Sequence, residues 1–405
     1  MKTNNFQINI EEIKNKIICG NALTELKKIP SNIIDMTLTS PPYWATRDYG
    51  VSTETIWNGN KNCQHEFKLI EKKDPMDRGG SGNHDKGGIA SFWEKRIRQE
   101  GYCQKCGAWK GQLGLEDHPQ DYINHIVEIC CECMRVLKKS GVFFLNLGDV
   151  FYTSTHQGGY DRLNKESNKI LNHRMNVRGK YKSNWLQQKQ RLLLPQRIAI
   201  ALQDKGFLIR DTIIWVKKLT RYPKKTSIGT TMPFPVKDRL LPAFEYIFQI
   251  VKSPKYYFNL EPLKTKLKMA SIQRFQYPIV ESYSDDNPHK INMIGIEKFR
   301  KKFEIGKIWS VQLKKEILKA NPTNVIMFKV ENQNTVPKGH YAKFPLSLPE
   351  FFILAGCPPS GIVLDPFVGS GTTAVVAKRF KRNFIGIDIK PEYCEMARER
   401  LNSIS

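Results

Sequence analysis

The sequence predicts an α/β protein: a mainly parallel sheet with helices on both faces, a smaller second lobe and an inserted segment. Three observations predict it. Short apolar runs suited to buried strands alternate with amphipathic helical stretches along most of the chain. One apolar run near the N-terminus ends in Thr39-Ser40-Pro41-Pro42-Tyr43-Trp44, where two prolines cannot continue a sheet ladder. Another runs into the glycine-rich turn Asp365-Pro366-Phe367-Val368-Gly369-Ser370-Gly371-Thr372-Thr373 and then a helical stretch.

In chain order, Ile17-Ile18-Cys19 reads as a strand, residues 23–29 as a helix, and Met36-Thr37-Leu38 as the strand that delivers the double proline. Residues 57–111 form an insertion rich in glycine and lysine, with Gly79-Gly80-Ser81-Gly82 as a flexible centre. A helix over 120–138 places Ile126, Cys130, Cys133 and Leu137 on one face. Lys139-Ser140-Gly141 stops it, and the strand Val142-Phe143-Phe144-Leu145 follows. Residues 153–190 are a polar, basic loop. A helix over 195–205 and the strand Thr212-Ile213-Ile214-Trp215-Val216 precede a second basic loop, 217–239. After the strand Tyr246-Ile247-Phe248-Gln249-Ile250-Val251, residues 259–335 show weak periodicity and many basic side chains, as a separate lobe would. From Pro349 the pattern is helix, strand Ile362-Val363-Leu364, glycine turn, a helix over 374–379, strand Phe384-Ile385-Gly386-Ile387 and a last helix. The chain thus divides into 1–258, 259–335 and 336–405.

A chain of 405 residues can bury one large core and a smaller one. No run of 18 apolar residues occurs, and the polar N-terminus is unlike a signal segment, so a soluble protein without membrane partners is expected. Nine cysteines, an odd number, in a chain too large to need disulfides fit a reducing, cytoplasmic compartment. The net charge of +25 favours a polyanionic partner, nucleic acid before membrane, because no basic amphipathic helix stands out.

The double-proline turn offers the Ser40 hydroxyl, the carbonyls of Pro41 and Pro42, and the aromatic face of Tyr43. Those groups suit gripping a planar, amine-bearing ring. Accepting the amine hydrogens at Ser40 Oγ and the Pro41 carbonyl would localise the nitrogen lone pair, after which attack needs positioning more than a strong base. Trp44 is either a second stacking wall or core, and core is the expectation. The glycine turn lets a ligand approach the backbone at a helix N-terminus, but it lacks the Gly-Lys-Ser/Thr of a phosphate-cradling loop. Asp388 stands 23 residues after Asp365 at the tip of the next strand, where ribose hydroxyls are bound. Its alternative is a helix N-cap before Pro391.

Ser40-Pro41-Pro42-Tyr43 followed much later by Asp-Pro-Phe-x-Gly-Ser-Gly-Thr-Thr resembles the S-adenosylmethionine-dependent DNA amino-methyltransferases. The order, catalytic tetrapeptide first and cofactor turn last, is similar to their β group, in which target recognition lies between the two. Asn146-Leu147-Gly148-Asp149, Lys252-Ser253-Pro254-Lys255-Tyr256-Tyr257-Phe258 and His340-Tyr341-Ala342-Lys343-Phe344-Pro345 also look like family segments. The resemblance implies a Rossmann-like methyltransferase sheet and S-adenosylmethionine as cofactor. It implies Ser40, Pro41, Pro42 and Tyr43 as catalytic residues, with Tyr43 stacking on a flipped base. It implies Asp365, Phe367, Gly369, Ser370, Gly371 and Thr372 around the methionine part, Asp388 at the ribose, and Phe344 on the cofactor side. Asn21, in Gly20-Asn21-Ala22, falls near the adenine ring, where relatives often carry Asp.

The expected reaction is methylation of the N4 amine of cytosine in a specific sequence of double-stranded DNA, alongside a cognate restriction endonuclease in a prokaryotic, nucleoid-associated setting. Serine at the first position of the tetrapeptide favours cytosine, and the N6 amine of adenine is the alternative. An RNA or protein N-methyltransferase is disfavoured by the basic insertions, and the absence of any Pro-Cys dipeptide speaks against a C5-cytosine enzyme. Sequence reading is expected in 259–335. Phosphate contacts are expected from loops 153–190 and 217–239, with Arg174, Arg178, Lys180, Lys217, Lys218, Arg221, Lys224 and Lys225 beside Tyr160, Tyr181, Trp185 and Tyr222.

Cys63-x-His65 and Cys103-x2-Cys106 flank the glycine-rich centre of the insertion, and this spacing suits a structural zinc site. Surface or loosely buried thiols are the alternative. Cys130, Cys131 and Cys133 read as small helix residues, and His118 and His125 receive no role.

Overall fold

The computed structural model describes residues 8–47, 49, 53–60, 62–74, 94–152, 186–187, 189–231, 237–266, 319–328 and 345–404. Phe344, the Gly79–Gly82 stretch, most of 153–190 and most of 259–335 lie outside the described residues.

The N-terminal part runs α1 (Ile10–Ile13), β1 (Lys16–Cys19), α2 (Ala22–Lys28) and β2 (Ile34–Thr39). Four strands of the insertion follow: β3 (Glu54–Trp57), β4 (Lys68–Asp74), β5 (Glu94–Tyr102) and β6 (Trp109–Gln112). Then come α3 (Pro119–Val136), β7 (Leu137–Leu147), α4 (Leu194–Asp204), β8 (Leu208–Val216), β9 (Lys218–Arg221), β10 (Thr226–Gly229) and β11 (Phe244–Val251). Beyond them lie β12 (Thr265–Lys266), β13 (Lys319–Ala320), β14 (Val325–Ile326), α5 (Ser347–Gly356), β15 (Ile362–Asp365), α6 (Thr372–Arg379), β16 (Asn383–Asp388) and α7 (Pro391–Asn402).

Eight strands make the central sheet in the order β1-β16-β15-β2-β7-β11-β8-β14. Every neighbouring pair is parallel except those of β11, which runs antiparallel to both β7 and β8. The architecture is the mainly parallel one that the alternation predicts. Strands buried on both faces explain why their sequences read as continuous apolar runs. On β7, Phe143, Leu145 and Leu147 pack with α3 and α4 residues on one side, while Val142 and Phe144 pack with α5, α6 and α7 residues on the other.

Three local expectations are corrected. Lys139-Ser140-Gly141 does not separate helix from strand, because β7 already starts at Leu137. The Lys-Ser-Gly signal marks a bulge instead: Ile34 pairs with Leu137 and Met36 with Val142, so residues 138–141 stand opposite Asp35 alone. Gly141 is needed there, since a Cβ would come within 2.9 Å of the Asp35 carbonyl oxygen. The insertion is a four-stranded antiparallel sheet, β3-β6-β5-β4, and not only a flexible segment. The stretch 217–239 contains the hairpin β9–β10.

Residues 259–323 form a compact unit apart from the rest. Its described part holds a short 3-10 turn at Glu261–Leu263 and the pair β12–β13. The unit ends before residue 335, because Val325 and Ile326 already pair with Ile214 and Trp215 of the central sheet. Among the described residues no helix is long and apolar enough to cross a membrane.

Candidate active site

The double-proline turn leaves the carboxyl end of β2, the glycine turn leaves β15, and Asp388 closes β16. In a parallel sheet these ends lie along one edge, where α/β proteins bind ligands. Thr39 Oγ1 donates 2.6 Å to Asp365 Oδ1, fixing the two turns side by side.

The proline turn is held from outside. Tyr122 on α3 donates to the Pro42 carbonyl at 2.9 Å, so that carbonyl is taken, whereas no described residue bonds that of Pro41. Trp44 is fully buried and donates its indole N–H to the Glu116 carbonyl at 2.9 Å, which places it in the core. Ala45 N donates to the Gly114 carbonyl, and Gly114 N to Glu116 Oε2. The other oxygen of Glu116 meets His125 Nδ1 at 2.9 Å, and both side chains are almost fully buried. Burial raises the Glu116 pKa against the pull of His125. Neither residue stood out in the sequence.

A polar cluster surrounds Ser40. Tyr43 Oη lies 3.1 Å from Ser40 Oγ and donates to Glu245 Oε2 at 2.8 Å. Asn146 Nδ2 reaches Tyr43 Oη and Glu245 Oε2, each at 2.9 Å, and Ser40 Oγ at 3.3 Å. Lys217 pairs with the remaining oxygen of Glu245. Burial, then the Glu245 charge, push the Tyr43 hydroxyl well above its ordinary pKa, so it keeps its proton. A Cβ on Gly148 would come within 2.6 Å of the Tyr43 ring, so that glycine admits the aromatic.

Directions follow from valence. An ionised carboxylate only accepts, so Tyr43 gives its single proton to Glu245. Ser40 must then donate to Tyr43, and with Asn146 Nδ2 directed at one lone pair from 3.3 Å the serine oxygen keeps a second lone pair as an acceptor.

The glycine turn is equally determined. Asp365, 2 % exposed, accepts from Thr39 and from Phe367 N on one oxygen and from Thr373 Oγ1 on the other. Burial outweighs these donors and raises its pKa to about 6. Asp365 therefore braces the turn from behind and does not line the cavity. Gly371 sits at φ +83°, where a Cβ would also meet Ala397 Cβ of α7 at 2.8 Å. Asp388 accepts from Gly369 N and Lys390 N, each at 2.9 Å, while α7 is capped at Lys390, so the N-cap alternative for Asp388 does not hold. Ser370 and Thr372 also meet the Arg400 guanidinium. Asn21 caps α2 by accepting from Thr24 N at 3.0 Å.

One cavity joins these parts, with about 980 Å³ of open space including its mouth. Ser40 and Pro42 line it together with Asn21, Phe367, Gly369, Ser370, Thr372 and Asp388. Tyr393, Ile389, Tyr49, Thr53, Thr55, Trp57 and Gln112 are also part of the wall, and none of these was singled out by sequence.

The DNA methylase family, N6 and N4 methyltransferases, matches residues 34–399. This chain belongs to that family. The DNA methylase is 28% identical to the Type II methyltransferase M.SmaI of Serratia marcescens over 386 residues, 95% of this chain and 90% of that one. It is 26% identical to the Type II methyltransferase M.Cfr9I of Citrobacter freundii over 382 residues, 94% of this chain and 86% of that one. Among solved structures, the PvuII DNA methyltransferase (cytosine-N4-specific) aligns with a TM-score of 0.49 and 17% identity, covering 96% of this chain and 87% of that one.

The methylase also carries the cysteine–histidine cluster. Ligand atoms of Cys63, His65, Cys103 and Cys106 all lie within 4.8 Å of one another. Cys63 Sγ is 3.9 Å from Cys103 Sγ, and Cys106 Sγ is 3.3 Å from His65 Nδ1. Backbone N–H groups of Ala108 and Asn60 lower the Cys106 pKa. At Cys103 burial acts upward, but N–H donors led by Glu66 prevail and bring the thiol to about 5. Burial and the neighbouring sulfurs push Cys63 up to about 11. Cys130 and Cys133 are buried along α3, and His118 is its N-cap.

Proposed function

We propose that this DNA methylase transfers a methyl group from S-adenosylmethionine to the N4 amine of a cytosine flipped out of double-stranded DNA within a specific sequence. The observation that carries the reading is that Ser40 and Pro42 face the same cavity as Phe367, Gly369 and Asp388. The amine-gripping turn and the glycine turn thus share one space.

The wall suits that cofactor. Phe367 and Tyr393 offer aromatic surface for a purine, and Asn21 an amide beside it. Asp388 has two of its roughly four acceptor positions filled by backbone, leaving capacity for ribose hydroxyls. The turn through Gly369, Ser370, Gly371 and Thr372, braced by Asp365, would hold the methionine part. When bound, the cofactor supplies an electrophilic methyl on a sulfonium.

The chain's own groups do the rest. Ser40 Oγ, its proton committed to Tyr43, accepts one amine hydrogen, and the Pro41 carbonyl accepts the other. That pair of acceptors pulls the lone pair out of conjugation and directs it, so catalysis rests on positioning. Tyr43, anchored by its hydroxyl and packed on Gly148, has the fixed placement a stacking platform for a flipped base requires.

A neutral hydroxyl at position 40 supports cytosine over adenine. Residues 259–323 would read the sequence, with phosphates held by the exposed β9–β10 hairpin and the basic segment 153–190. The relatives' designation as Type II methyltransferases supports a role beside a restriction endonuclease, in the cytoplasm. The cluster of Cys63, His65, Cys103 and Cys106 suits a closed structural zinc site: the tetrahedral edge for Zn–S bonds of about 2.3 Å is about 3.8 Å, close to the observed 3.9 Å.

Incubating random-sequence duplex DNA with labelled cofactor and analysing the nucleosides tests the proposal. N4-methylcytosine is expected. N6-methyladenine alone would overturn the base, and product on RNA but not DNA would overturn the substrate.

A further inference from the structure

The inserted sheet supplies part of the cavity wall. Thr55 and Trp57 on β3 and Gln112 on β6 face the same space as Gly369 and Asp388. Two side-chain polar atoms of these wall residues, Thr55 Oγ1 and Trp57 Nε1, are buried and have no hydrogen-bond partner among the described residues. Trp57 is 3 % exposed, and its ring stacks on His125 at 4.4 Å between centroids. His125 is itself fixed by Glu116, so the indole is held in place. Buried donors normally find partners, and two unpaired ones on a ligand cavity point to a partner that arrives with the ligand. An indole N–H can only donate, so that partner is an acceptor: a carboxylate or hydroxyl oxygen, or a ring nitrogen.

The same strands end at the cysteine–histidine cluster. Trp57 pairs with Trp109 across β3 and β6, and Cys106 lies three residues before Trp109. Gly59, two residues after Trp57, has φ +82°, and a Cβ there would lie 3.0 Å from Cys106 Sγ and 2.5 Å from Ala108 Cβ. Cys103 N closes the turn by donating to the Ala108 carbonyl at 2.7 Å.

We infer that Thr55 and Trp57 are cofactor-binding residues contributed by the inserted sheet, and that a zinc ion on Cys63, His65, Cys103 and Cys106 holds them in place, coupling cofactor affinity to metal content. The inference rests on reading the cavity as the S-adenosylmethionine site. Calorimetric titration with S-adenosylhomocysteine, on full-length protein of measured zinc content, tests it. Trp57→Phe keeps a six-membered aromatic ring at the site and removes the N–H with the five-membered ring; it should bind about tenfold more weakly, as one lost hydrogen bond predicts. Thr55→Val should lose severalfold. Protein stripped by a chelator, or Cys106→Ser, should lose more than either, with affinity restored to the stripped wild type by added zinc. Unchanged affinity in both Trp57→Phe and Thr55→Val overturns the assignment. Zinc-free protein that binds like wild type, or a wild type that takes up no zinc, overturns the coupling. A wild-type protein that retains its circular dichroism but binds no S-adenosylhomocysteine overturns the underlying cofactor reading instead.

Discussion

Thr39 Oγ1 and Asp365 Oδ1 are hydrogen-bonded at 2.6 Å although 326 residues separate them. The bond joins the last residue of β2 to the last residue of β15, so it sets the spacing between Ser40 and the glycine turn. Its acceptor is a carboxyl whose pKa is raised to about 6, from an ordinary 3.8, by burial. The folded state therefore binds this proton more tightly than the unfolded state. Asp365 favours folding most below pH 4, and that contribution is lost as pH rises through about 6. A rise of this size is worth about 3 kcal/mol. The stability difference between wild type and Asp365→Asn, from urea unfolding at several pH values, should move against wild type between pH 4 and 6 and be flat above 7. A difference independent of pH would show that the carboxyl does not titrate in this window.

Glu245 sets the direction of the Tyr43 and Ser40 protons. Glu245→Gln introduces a donor where only an acceptor stood and frees Lys217. Turnover should fall about tenfold or more, about 1.4 kcal/mol of barrier, while affinity for S-adenosylhomocysteine stays unchanged. Steady-state kinetics beside calorimetry separates the two. Equal losses in both would mean a general disturbance of the sheet.

Ser40→Ala removes the acceptor itself. Cofactor affinity should be nearly unchanged and turnover should drop about tenfold or more. Single-turnover methylation of duplex DNA reads the step directly, and unchanged rates would remove Ser40 from the chemistry.

Gly371→Ala places a Cβ at φ +83° and within 2.8 Å of Ala397 Cβ. The backbone strain alone is worth about 1–3 kcal/mol. A lower melting temperature and weaker cofactor binding should appear together, because α7 and the glycine turn must move apart. A normal melting temperature would show that α7 yields freely.

Much of this was legible because buried parallel strands write themselves as apolar runs. Met36-Thr37-Leu38, Ile362-Val363-Leu364 and Phe384-Ile385-Gly386-Ile387 all lie inside observed strands. The cluster cysteines were legible through their spacing, which local chain geometry preserves. The strands β3 and β6 were not: each has four residues, within a glycine- and lysine-rich context that reads as a loop. Glu245 was equally hidden. A glutamate beginning a strand reads as a solvent-facing residue, and its partner Tyr43 is 202 residues away. His125 was passed over because its meaning comes from Glu116 and two tryptophans, which only the packed structure brings to it.

The order of the central sheet bears on how the protein is made. β2 stands between β7, which follows it in the chain, and β15, which begins at residue 362. During synthesis one edge of β2, with all six residues buried in the finished fold, has no strand to pair with until Ile362–Asp365 has left the ribosome. β1 waits still longer for β16. Such late, distant pairings fold slowly and leave an apolar edge open to other chains in the meantime. Termination of the chain before β15 would therefore release an aggregating fragment, and expression yield should depend steeply on chaperone supply and on growth temperature.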